Sequence, residues 1–303
     1  MKFGLCLVHF GPTAAPETLV QSLQVAEDSG CHLAMISDHV ILTEDVARGY
    51  PAPYYDAFAT LSFLAGVNTR LEFGTTVLIL PYRNPLLVAR MSANLDQLSG
   101  GRFILGVGVG WSKLEYAALG VPFHRRGAMA DEYLDVITQA WTKDLLSFKG
   151  EFVDVTNVQT GPAPVRQPQV PVWVGGTSQQ ALRRAVRFGA GWHPNWKTVP
   201  WLRDTGLPAL RRTAEETNGR MPAFTPRIYL NVTDARIEGE ERLAGHGTLD
   251  QIRGDLEALA ELGAEYVVFD TYGPPTLDRS GNAHEQQRRT LGIVADALLG
   301  QFR

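Results

Sequence analysis

Phe103-Ile104-Leu105-Gly106-Val107-Gly108-Val109-Gly110-Trp111 is an apolar run that turns into alternating glycines. Side chains of a strand point to its two faces in turn, so glycine at every second place strips one face bare. Something flat can then lie against exposed backbone. The run follows Asp96-Gln97-Leu98-Ser99-Gly100-Gly101-Arg102, where two glycines suit the left-handed close of a helix. It therefore reads as a strand entered from a helix.

The same rhythm repeats along the chain. Strands are expected at Phe3–Phe10, Leu33–Val40, Leu71–Leu80, Phe103–Gly110, Pro171–Gly175, Gly191–Asn195, Arg227–Thr233 and Tyr266–Tyr272. Helices are expected between them, near 17–30, 55–68, 85–99, 124–142, 178–189, 199–217, 248–262 and 284–300. Asn84-Pro85 is a cap followed by proline at the first helical position, and Thr248 after Gly247 caps another helix. Eight strand–helix pairs favour a (β/α)8 TIM barrel over an open doubly wound sheet. The rival fold would place Gly-x-Gly-x-x-Gly directly after the first strand. Here that strand ends His9-Phe10-Gly11-Pro12. Residues 1–303 are expected to form one barrel domain with an inserted extended segment over about 143–170, between strands four and five. Phe148, Phe152, Val153 and Val155 alternate loosely there, before the proline-rich Gly161-Pro162-Ala163-Pro164.

Composition narrows the class. The chain is 45% apolar and 20% charged, with a net charge of −4 and no long basic stripe, so nucleic acid and anionic membrane are not expected partners. Cys6 and Cys31, the two cysteines, have no metal spacing and fall in runs that read as buried. No signal-peptide layout and no span-length apolar segment is present, so a cytoplasmic location is expected.

Function in a barrel gathers where strands end at their carboxyl side. His9 ends the first strand there, and Asp38-His39 ends the second. An imidazole, with an ordinary pKa near 6.5, suits proton movement at neutral pH. The following stretch, 41–56, carries Tyr50, Tyr54 and Tyr55 and reads as a lid or substrate wall. Gly175-Gly176-Thr177-Ser178 leads from a strand into a helix, the arrangement of a phosphate cradle, although plain capping would use the same residues. Trp192-His193-Pro194-Asn195-Trp196-Lys197 ends the sixth strand with enough rings for a pocket wall. Lys113, Arg125, Arg126 and Lys197 can meet an acidic group or simply face solvent. No His-x-His or paired carboxylates stand at strand ends, so no metal is expected.

The phrases Ser37-Asp38-His39, Gly74-Thr75-Thr76-Val77, Arg83-Asn84-Pro85, Leu98-Ser99-Gly100-Gly101-Arg102-Phe103, Gly106-Val107-Gly108-Val109-Gly110-Trp111, Trp173-Val174-Gly175-Gly176-Thr177-Ser178 and Gly191-Trp192-His193-Pro194 occur in order over nearly the whole length. In these the chain resembles the bacterial luciferase-like superfamily of flavin and deazaflavin oxidoreductases. Gly120-Val121-Pro122-Phe123 with Arg126-Gly127 is similar to the branch that uses the deazaflavin coenzyme F420. The resemblance implies His39 beside the coenzyme ring as proton carrier, with Asp38 orienting the imidazole or bonding the ring system. It implies a non-proline cis peptide at Thr76-Val77 pressing behind the ring. Gly108, Val109, Gly110 and Trp111 would flank the pyrimidine side or ribityl chain, and Gly175, Gly176, Thr177 and Ser178 would hold the phosphate. Trp111 stands where some branches hold a glutamate as a second proton donor, so a sugar-phosphate dehydrogenase role is not expected. Ala190 replaces an acidic residue common before Gly191-Trp192, and Thr177 an asparagine.

The function so implied is hydride transfer between F420 and a small organic substrate. A reduced-FMN-dependent monooxygenase on the same barrel is the alternative, and a coenzyme-free hydrolase or ligand-binding barrel the remoter one. His9, Tyr50, Tyr54, Tyr55, Trp192, His193 and Trp196 are the expected substrate-pocket residues, suited to an apolar or planar molecule. A homodimer follows from the resemblance alone.

Overall fold

Continuous apolar runs form strands whose two faces are both covered, and the computed structural model shows why the runs are continuous here. It describes residues 1–274 and 283–302. The strands are β1 (Lys2–Cys6), β2 (Leu33–Ile36), β3 (Glu72–Thr75), β4 (Leu78–Ile79), β5 (Phe103–Gly108), β6 (Leu146–Lys149), β7 (Asp154–Val158), β8 (Val172–Gly175), β9 (Gly191–His193), β10 (Ala223–Phe224), β11 (Arg227–Tyr229), β12 (Asn231–Val232), β13 (His246–Gly247) and β14 (Tyr266–Asp270). The main sheet is parallel throughout and runs β10-β9-β8-β5-β3-β2-β1-β14-β11, with β4 on β5 beyond the end of β3. A bridge between Asn195 and Arg227 joins the β9 side to β11 and closes the ring. Counting β3 with β4, and β10 with β11, the ring has the eight staves of a (β/α)8 barrel.

Each stave divides its side chains between two apolar environments. Leu33 and Met35 of β2, Ile104 of β5, Trp173 of β8, and Tyr266 and Val268 of β14 form one cluster inside the barrel. Their neighbours Ala34, Ile36, Phe103, Leu105, Val172, Val267 and Phe269 pack outward into the larger core shared with the helices. A strand apolar on both faces carries no alternation, as expected for a buried parallel sheet.

The helices fall near their expected places, from Pro16–Asp28 to Ala283–Ala297. Between β5 and β8 the expected insertion includes an antiparallel hairpin of β6 and β7. Two short helices were not foreseen: Glu44–Ala47 in the loop after β2, and Lys113–Ala118 after β5. Both stand at the carboxyl end of the barrel. Among the described residues no helix is long and apolar enough to cross a membrane.

Candidate functional site

The alternating glycines do a second job beside the one expected of them: they admit the neighbouring stave. A Cβ on Gly106 would come 1.8 Å from the Thr75 carbonyl oxygen, one on Gly108 2.4 Å from Val77 Cγ2, and one on Gly110 2.8 Å from Ile79 Cγ2. The bare face is thus filled by the neighbouring stave, where it bulges between β3 and β4. The Thr76–Val77 peptide at that bulge is cis. Val77 shares the floor with the glycine backbone. Its Cγ1 also lies where a Cβ on Gly175 would be, at 3.0 Å.

Over this floor lies a cavity of about 340 Å³, lined by Val77, Gly108, Val109, Gly110, Trp111, Gly175, Gly176 and Ser178 among others. Eight of the expected coenzyme residues therefore share one space, which fits a flat heterocycle with an anionic handle. Gly176 has φ +97°, a conformation that suits glycine. Ser178 caps Gln179–Phe188 by accepting from the Ala181 amide at 3.3 Å. Capping thus occupies the Ser178 hydroxyl, and the leading amides of the helix remain as anion donors.

His39 is 7% exposed, and its Nδ1 lies 2.7 Å from Glu115 Oε2. Glu115 is fully buried and also accepts from the Val40 and Ile41 amides, at 2.7 and 3.2 Å, and from the Tyr82 hydroxyl at 3.1 Å. Burial would raise the Glu115 pKa, but the His39 hydrogen bond, the His39 charge and the two amides outweigh it and hold the carboxyl below its ordinary value. Ionised Glu115 thus accepts a hydrogen bond from His39 Nδ1–H, and Nε2 is left without a hydrogen-bond partner among the described residues. Trp111 ties the pair to the cavity: it lines the space and meets the His39 ring edge-on at 5.8 Å. Tyr50 and Tyr54 stand on the imidazole's other sides, with ring centroids 5.1 and 5.7 Å away.

Glu115 sits on Lys113–Ala118, a helix too short for its periodicity to register in the sequence. Ser112-x-x-Glu115 directly after the glycine run is a helix-start pattern that would have found it. Ser112 does cap that helix, accepting from the Glu115 amide at 3.0 Å. It also donates to Asp45 at 2.7 Å, fastening the loop after β2 to the loop after β5.

Several expectations need correcting. Asp38 neither orients His39 nor faces the cavity: Arg83 grips both its oxygens, at 2.6 and 2.9 Å, and the Ile79 amide donates to it at 2.9 Å. Trp192 is fully buried core, stacked on Phe224, and donates to the Gly176 carbonyl at 2.9 Å. It braces the phosphate loop instead of walling a pocket. His193 is 2% exposed, facing Thr76 Oγ1 at 2.8 Å and the Thr225 carbonyl. Trp196 donates to Asp270 at 2.8 Å, and Tyr55 packs against the main core, so neither lines the cavity. Thr177 is half-buried and absent from the lining.

A second missed group explains where those rings went. Arg227 of β11 donates to the Thr76 carbonyl at 2.6 Å and to Asp270 at 2.7 Å. β11 stands opposite β3 in the ring, so this side chain crosses the barrel axis. Arg227, Thr76, His193 and Asp270 plug the axial end, and the open cavity lies to one side, over β4, β5 and β8. His9 is fully buried at the mouth, its ring 4.6 Å from Tyr54, and its Nε2 has no hydrogen-bond partner among the described residues. Burial pushes its pKa down to about 3. Both cysteines are buried, with thiols pushed up to about 12, so neither offers a thiolate at neutral pH.

The closed parallel barrel, the side cavity and the buried His–Glu pair together make one candidate site at the carboxyl end of the staves. The family described as luciferase-like monooxygenase matches residues 1–238, and the chain belongs to it. An uncharacterized protein of Mycobacterium tuberculosis is 35% identical over 202 residues, 67% of this chain and 68% of that one. The F420-dependent glucose-6-phosphate dehydrogenase of Amycolatopsis mediterranei is 32% identical over 205 residues, 66% and 60% of the two chains. Among solved structures, the coenzyme F420-dependent tetrahydromethanopterin reductase of Methanopyrus kandleri superposes with a TM-score of 0.79 at 17% identity, covering 100% and 99%. The EDTA monooxygenase of Chelativorans sp. BNC1 gives 0.77 at 15%, covering 99% and 94%. Identities of 17% and 15% show a shared fold; one of these structures is named as F420-dependent and the other as a monooxygenase.

Proposed function

We propose that this chain is an F420-dependent oxidoreductase that passes hydride between the deazaflavin and a small, apolar or planar organic substrate. The observation that carries the reading is the His39–Glu115 pair, joined through Trp111 to the cavity that Val77 floors and the Gly175–Ser178 loop closes. The bound deazaflavin would accept or donate the hydride. The chain's residues do the rest. Ionised Glu115 holds His39 Nδ1–H, so Nε2 is the nitrogen available to take or return the substrate proton. Tyr50, Tyr54 and Trp111 hem the imidazole with rings, limiting water around it. Val77 and the glycines it fills hold the floor rigid, and the leading amides after Ser178 offer donors to a phosphate. A relative named as F420-dependent, 32% identical over 205 residues, is in keeping with this reading, while one named as a pyrimidine monooxygenase, 32% identical over 153 residues, keeps oxygen activation as the alternative.

Titration of the purified chain with F420 and, separately, with reduced and oxidised FMN tests it. Saturable binding of F420 below about 10 µM, with FMN at least ~100-fold weaker, is the expected result, a gap of about 3 kcal/mol. Preference for FMN would replace the proposal with a monooxygenase, and binding of neither would return the coenzyme-free barrel.

A further inference from the structure

The helix that follows the phosphate loop carries a run of cations that the chemistry above does not use. Gln180, Arg183, Arg184 and Arg187 recur at the three- and four-residue spacing of one helical face. That face lines a groove of about 750 Å³, completed by Arg220 beyond the next helix and by Asp131. Four arginines thus meet one aspartate in the lining of a chain whose net charge is −4. Two of them are spoken for: Arg184 pairs with Asp131 at 2.5 Å, and Arg187 with Asp135 at 2.8 Å. Arg183 and Arg220 have no acidic partner among the described residues. Arg184 is also a wall of the coenzyme cavity, so the two spaces meet at one guanidinium just past Ser178.

Resting on the F420 reading, we infer that this groove seats the polyanionic extension of the coenzyme, a chain of carboxylates leaving its phosphate. An anion on the amides after Ser178 lies at the start of the arginine-bearing helix. Successive carboxylates can then follow the face from Arg184 toward Arg183 and Arg220. Planar guanidinium groups suit carboxylates, bonding them two at a time. FMN ends at its phosphate and would leave the groove unused, so the same residues favour F420. Lys113, Arg125, Arg126 and Lys197 are not part of it: Lys113 and Arg126 lie over Phe123, Arg125 pairs with Glu151, and Lys197 lies over Trp201.

The test compares two probes by fluorescence titration at low salt: F420 bearing an oligo-γ-glutamyl tail, and the same coenzyme cut back to its phosphate. The unaltered chain should bind the tailed form about tenfold more tightly, an advantage that fades toward 0.5 M salt as exposed charges are screened. In the double variant R183E/R220E the advantage should vanish or invert, while the affinity for the truncated form stays within about twofold. Circular dichroism and thermal unfolding of the variant confirm an intact fold, and the single charge removals R183A and R220A should give intermediate ratios. Equal binding of both forms by the unaltered chain overturns this inference and leaves the F420 reading standing. Binding of neither form overturns both.

Discussion

At the scale of single residues, the arrangement around His39 separates positioning from chemistry. Nδ1 is committed to Glu115 and Nε2 is left open, so removing either partner should harm the proton step more than binding. His39→Ala is expected to lower turnover by about 100-fold or more, the usual worth of a general acid or base, with coenzyme affinity kept within about tenfold. Steady-state rates beside an equilibrium titration measure this, and unchanged turnover would take His39 out of the mechanism. Glu115→Gln keeps the size of the side chain but can no longer anchor the proton of Nδ1 as an anion. Loss of such a partner costs about 10- to 100-fold in activity. The variant should show that fall in turnover with coenzyme affinity retained, whereas a merely structural role would lower stability and leave the rate per folded molecule intact. Asp38, the residue the sequence offered for this task, differs by one position and a whole environment. Its carboxylate stands on the far side of the strand end, locked by Arg83.

At the scale of elements, the barrel was legible because its signals are local and repeat. Apolar runs, caps and glycine stops mark all eight staves, and Asn84 and Thr248 cap their helices as read. The short helices escaped because four or six residues carry too little periodicity to register. The glycine run was located correctly, and besides lining the cavity its bare face takes in the bulge of the next stave. Period-two spacing says one face is bare but not what fills it, and here a strand does. This gives a sharp expectation. Gly106→Ala would drive a methyl to 1.8 Å from the Thr75 carbonyl oxygen, a backbone atom that cannot turn aside. Overpacking of this kind costs about 1–3 kcal/mol or more, so Gly106→Ala should lose at least ~3 kcal/mol or fail to fold. Gly254 is the internal control, mid-helix in Leu249–Glu261 with nothing within 4 Å of a new Cβ. Gly254→Ala should gain about 0.5–1 kcal/mol. Urea unfolding of the pair reads both, and equal effects would show that the close approach of β3 to β5 is not what fixes glycine at 106.

At the scale of the whole molecule, the polar plug across the barrel axis is what sequence reasoning had least means to see. Thr76, His193, Arg227 and Asp270 come from four staves far apart in the chain, and no local pattern joins them. Together with the buried His9 and Glu115, the plug's His193 should make the fold sensitive to acid. Burial is the chief cause holding His193 near a pKa of about 4 and His9 near about 3, against an ordinary value of 6.5. Between those values the unfolded chain binds protons that the folded chain refuses, so stability is whole above about pH 6.5 and falls as pH drops. Glu115 is held below the usual carboxylate range and acts in the same direction at lower pH, where the unfolded chain takes up its proton first. At pH 5 each buried histidine accounts for at most about 2 kcal/mol of lost stability. The urea midpoint should therefore drop clearly between pH 7 and pH 5. His193→Gln, which cannot take up a proton there, should lower stability at pH 7 yet lose less on acidification. A variant whose midpoint tracks the unaltered chain in parallel across that range would show that His193 does not carry the acid sensitivity of the barrel mouth.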